Sequence, residues 1–146
     1  MTKKILTILT ALLFVMASSF AEEALLEKAL RVAEDGKDLI RMNEDDLFDL
    51  IGIEPEEYTD YAYLADNNAL SGREIIVLRA IDRNTAHNLA VKLENYREQR
   101  MRATRNYLPE AYRLLSEAEV LQGDLLVVLS IAAPNPQEAG LLLQEE

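Results

Sequence analysis

Two stretches of this 146-residue chain limit its fold more than any other feature. Ile75–Ile81 and Leu125–Ile131 are apolar at nearly every position instead of at alternate ones. A half-exposed strand alternates apolar and polar residues. An uninterrupted run of strand formers needs cover on both faces of its sheet. The covering layers are expected from the long helix on one side and, on the other, from helix 22–34, the C-terminal helix or a partner molecule.

The rest of the pattern supplies those layers. Leu25, Leu26, Ala29, Leu30 and Ala33 form one stripe of a helix over 22–34, stopped at Asp35-Gly36. Asn43 suits the N-cap of a short helix to Leu50, with Glu44, Asp45 and Asp46 in its first turn; Gly52 and Pro55 end it. Tyr58–Ala65 and Glu74–Ile81 read as a hairpin around the turn-rich segment Asp66–Gly72. Asp82 or Asn84 then caps a helix over about Thr85–Asn106, and Pro109 opens another to Ser116. A short strand near Val120, the strand Leu125–Ile131 and a helix Gln137–Leu143 complete the order. The expected fold is α+β: a small, mainly antiparallel sheet of about four strands against one long helix, with short flanking helices.

Residues 1–21 read as a secretory signal. Lys3 and Lys4 precede the apolar run Ile5–Met16, and Ser19 and Ala21 place small residues before Glu22. The run is short for a membrane span, which takes ~20 apolar residues. The expectation is therefore an exported protein, secreted or associated with the cell envelope, with one domain over 22–146. Only an uncleaved signal would tether it to a membrane. The chain has no Cys, which removes disulfides, thiolate chemistry and lipidated cysteine from consideration.

Charge is unevenly placed. Without the two lysines of residues 1–21, thirteen basic groups face 26 acidic ones, a net charge of −13. Nucleic acid is not an expected partner, because phosphate binding needs a basic surface. Residues 22–66 carry 4 basic and 15 acidic groups, residues 67–113 carry 9 and 5, and residues 114–146 carry 6 acidic and none basic. The simplest expectation is self-complementarity, with the basic middle packed among its acidic flanks.

Familiar reaction chemistry is not visible. His87 is the only histidine, and Ser71, Ser116 and Ser130 lack a nucleophile-elbow setting. There is no glycine-rich phosphate loop, and the acidic stretch 44–49 lacks a calcium-loop pattern. No catalytic, cofactor-binding or metal-ligating residues are assigned. The most informative constellation is on the long helix, where Arg97, Arg100, Arg102 and Arg105 give a positive stripe in an acidic chain. It reads either as a contact surface or as a solvated face paired with the protein's own acids.

Several short motifs occur in order: Leu50-Ile51-Gly52-Ile53-Glu54-Pro55-Glu56-Glu57, Glu74-Ile75, Arg97-Glu98-Gln99-Arg100, Asn106-Tyr107-Leu108-Pro109-Glu110, and Gly123 before an apolar strand. Together they resemble the exported bacterial family called domain of unknown function 4358, over most of residues 38–133. The resemblance implies an envelope or secreted setting and no catalytic residues. Many members carry a lipobox cysteine, which this chain lacks.

The functional expectation is a non-enzymatic extracytoplasmic binding or accessory protein that acts by protein–protein contact, using Arg97, Arg100, Arg102 and Arg105 on an envelope or secreted partner. The alternative is a binder of envelope polymer or small anions, through the same face or the Asp66–Gly72 loop. A carboxylate-dependent hydrolase is the third reading.

Overall fold

A computed structural model describes residues 25–34, 36, 38–68 and 71–144. Residues 1–21, expected to be a secretory signal, lie outside the described residues. The chain forms α1 (residues 25–32), β1 (Leu39–Arg41), α2 (Glu44–Ile51), a 3-10 turn (Pro55–Glu57), β2 (Tyr58–Asp66), β3 (Glu74–Ala80), α3 (Arg83–Thr104), α4 (Pro109–Glu117), β4 (Val120–Gln122), β5 (Leu126–Ile131) and α5 (Pro136–Leu142).

All strand pairs are antiparallel, in the order β1-β2-β3-β5-β4. The sheet therefore has five strands, not four. The added strand is β1, whose Leu39, Ile40 and Arg41 pair with Asp66, Ala65 and Leu64. Three residues show no period, so only the partner strand reveals them.

The two apolar runs are the strands β3 and β5, both inside the sheet. Successive side chains of a strand point to opposite faces, and the core divides on that parity. Ile76, Leu78 and Ala80 of β3, with Val127, Leu129 and Ile131 of β5, face Leu47 of α2, Leu89 and Leu93 of α3, and Leu115 of α4. Ile75, Val77, Leu126 and Val128 face Leu25, Ala29 and Val32 of α1 and Ala139 and Leu142 of α5. The molecule is a helix–sheet–helix sandwich. The second face is covered from within the chain, by both of the helices named for it. Each fully buried Leu, Ile or Val contributes ~1.5–3 kcal/mol to the fold.

Local chemistry sets the boundaries. Asn43 and Asp46 form a reciprocal capping box at α2, each side chain accepting the other's backbone N–H. Gly52 closes that helix in the left-handed conformation, with φ 75°. At α3 the alternatives resolve to Asp82, whose carboxylate accepts the Thr85 N–H at 2.8 Å. Gly36 is required twice over: its φ is +55°, and a Cβ there would meet Leu30 at 3.0 Å. The edge strands β1 and β4 are three residues each, and neither contains a fully buried side chain.

Candidate functional site

The 22 residues of α3 run across the sheet for ~33 Å. Ala86, Leu89 and Leu93 are buried, which fixes the rotation of the helix and hence where its arginines point. Tyr96 and Arg100 follow this line one and two turns on. They reach the end of the sheet where β3 begins.

There Glu74, the first residue of β3, is only 2% exposed. Its register partners are Ala65 and Ile131, and its parity points it toward α3. Three groups converge on it. The Tyr63 hydroxyl donates to Oε1, the Tyr96 hydroxyl donates to the same oxygen at 2.8 Å, and Arg100 Nη1 pairs with Oε2. The two hydroxyls lie 3.5 Å apart, and the Arg100 guanidinium stands 5.6 Å from the centre of the Tyr96 ring. Burial, then the charge of Glu74, pushes Tyr96 up to about 12 and holds Tyr63 far above the usual phenol range. Both hydroxyls thus keep their protons and serve as donors. With both oxygens engaged, the Glu74 carboxylate ties β2, β3 and α3 together at this end of the sheet.

Arg97 turns to another side. Its Nε donates to Glu94 at 3.0 Å and its Nη1 to the carbonyl of Leu115 at 2.8 Å, which ties α3 to the last turn of α4. That pairing raises Arg97 and lowers Glu94 from their ordinary values. Arg102 reaches only Glu98, at 3.4 Å, with 69% of its side chain exposed. Arg105 caps the helix and is exposed. Arg97, Arg102 and Arg105 share a shallow groove of about 200 Å³ with Glu98, Met101 and Tyr112. The structure therefore brings together three of the four arginines singled out from the sequence and sends Arg100 elsewhere.

Self-complementarity is realised only in part. Lys92 joins Glu57 and the Gly52 carbonyl, both at 2.6 Å, and Arg83 joins Asp124 across blocks of opposite charge. Arg113 sits between Glu110 and Glu117, each at 2.7 Å. The pairs of Arg97, Arg100 and Arg102 stay inside the basic block itself.

The Glu74 cluster was not visible in the linear sequence. Tyr96 and Arg100 at i and i+4 are a signal, as is an acid opening an apolar strand, but Tyr63 joins them only through the β2–β3 register. Among the described residues no group of three or more His, Asp or Glu side chains is placed to hold a metal ion. Nor is any described helix long and apolar enough to cross a membrane. His87 lies exposed on the first turns of α3.

A five-stranded antiparallel sheet between two helical layers, with α3 as its spine, thus defines a small α+β domain. The family model described as Domain of unknown function (DUF4358) matches residues 33–132, and the chain belongs to that family. The match runs from the end of α1 to just past β5, so it takes in the whole sheet, α3 and the Glu74 cluster. Neither a curated protein nor a solved structure matches the chain.

Proposed function

We propose that this chain is an exported, non-enzymatic binding or accessory protein, and that it contacts an acidic segment of a protein partner at the corner between α3 and α4. One observation carries this reading: Arg102 and Arg105 remain exposed in a groove floored by Met101 and Tyr112, in a protein of net charge −11. Arg, Tyr and Met are the residue types enriched where proteins meet. Tyr107, in the turn that joins the two helices, is 83% exposed. Against hydrolysis stands the use of the two carboxylates that line the cavity between β1 and α2. Glu74 is engaged by Arg100 and two tyrosines, and Asp66 by the Asn68 N–H at 2.8 Å.

The test is crosslinking of the tagged chain in intact cells, alongside Arg102→Glu/Arg105→Glu. A partner enriched with the parent chain and lost with the double variant supports the assignment. Equal capture by a folded double variant overturns it. Arg97 and Arg100 are left intact because each is bonded within the fold. Export is tested separately: the protein recovered outside the cytoplasm is expected to begin at Glu22, as N-terminal sequencing reads.

A further inference from the structure

A second surface, on a different side of α3, goes beyond that reading. Between β1, α2 and residues Asn67, Asn68, Gly72 and Arg73 that follow β2 and precede β3 lies an open cavity of about 370 Å³, at the small end of the ~300–1,000 Å³ usual for ligand sites. Its walls differ in chemistry. Ile40 and Leu50 form an apolar rim with Met42, although they are 45% and 50% exposed. The inner side is polar, with Arg73 next to Glu74 in the chain and Arg100 nearby.

Arg73 is the unusual group. Its backbone is well used, its N–H donating to the Ser71 hydroxyl at 3.2 Å and its carbonyl accepting from Asp66 at 3.0 Å. Its side chain has no hydrogen-bond acceptor among the described residues, and Nε is buried without a partner. A buried donor with no acceptor is costly and rare in folded proteins. The cavity's acids are already hydrogen-bonded: Glu74 by Arg100, Tyr63 and Tyr96, and Asp66 by the Asn68 N–H and the Ser71 side chain. Arg73 feels the charge of Asp66 but makes no hydrogen bond to it, so the site lacks an acceptor at Nε rather than a donor, and an anion supplies one. The apolar rim adds a second requirement, for a ligand with a hydrocarbon body.

We infer that this cavity binds a small amphipathic carboxylate, its charged end on Arg73 and its apolar body against Ile40, Met42 and Leu50. Arginine suits such a group, because its planar fork meets both carboxylate oxygens.

The test titrates the purified chain with octanoate by calorimetry, with octylamine and inorganic phosphate as comparisons. Octanoate is expected to bind, octylamine and phosphate are not, and Arg73→Gln is expected to weaken octanoate about tenfold or more. Ile40→Ser/Leu50→Ser, on the exposed rim, should weaken it as well. Arg73→Lys keeps the charge and loses the fork, so it should fall between the parent and the glutamine variant; it also serves if Arg73→Gln does not fold. The inference is overturned by any of four results: no octanoate heat up to about 10 mM, equal affinity after both Arg73 changes, octylamine bound as well as octanoate, or phosphate bound as well as octanoate. The last would make the site a general anion site with no use for its apolar rim.

Discussion

The two halves of the arginine stripe on α3 have different fates. Arg97 and Arg100 are drawn into the fold, one onto the α4 carbonyl of Leu115, the other onto buried Glu74. Arg102 and Arg105, a turn further on, stay in water. The four residues are alike in the sequence, and what separates them is what the fold places opposite. Where a carboxylate or carbonyl has already lost its water, an arginine becomes structural. Where nothing is buried, the same side chain stays free to meet another molecule. Charge alone does not distinguish the two cases.

Replacing Glu74 with Ala should have the largest effect on this contrast. It strands Arg100 and two buried hydroxyls, and breaking a buried pair from one side costs ~3–5 kcal/mol. The melting temperature should fall by roughly 10 °C or more. A drop of only a degree or two would show that the cluster is not an anchor.

High pH probes partly buried tyrosines without mutation, Tyr96 inside the cluster and Tyr58 outside it. Tyr58 and Tyr96 are both raised to about 12, the first chiefly by burial, as is the second. A raised pKa means that the folded state holds its proton more tightly than the unfolded state does. The stability involved is complete below pH ~10, the unfolded value, and is lost as pH rises toward about 12. Chemical denaturation between those limits should show falling stability, and the phenolate absorbance of Tyr58, Tyr63 and Tyr96 should appear only together with unfolding. Free ionisation of every tyrosine in a still-folded protein would contradict the burial.

Arg97→Ala comes next. It removes the charged hydrogen bond to Leu115, worth ~1.5–3 kcal/mol, and should loosen the α4 end of α3 as read by amide exchange. Arg102→Ala with Arg105→Ala should change stability by less than ~0.5 kcal/mol. If that pair proved as costly as Arg97→Ala, the division between structural and free arginines would fail.

Much of the architecture was legible from side-chain pattern. The unbroken apolar runs required a doubly covered sheet, and Ile75–Ile81 and Leu125–Ile131 became β3 and β5 within a residue. Asn43, Gly52 and Pro109 marked helix ends because capping chemistry is local. What escaped depends on long-range placement. β1 is too short to show a period and exists as a partner of β2. The Glu74 cluster needs the hairpin register to bring Tyr63 in and the burial of Leu89 and Leu93 to rotate Arg100 toward it. The arginine stripe was visible, but its division was not, since Leu115 and Glu74 are 18 and 26 residues away from their arginines.

The face of the sheet opposite α3 is closed by α1 and α5 together, the first and last described helices. With α5 detached, Ile75, Val77, Leu126 and Val128 would keep only half their roof. The sheet would then display strong β-formers from its two central strands, the kind of surface that recruits chaperones or other copies of the chain. α5, at the far end of the sequence from α1, is thus the latch of this roof.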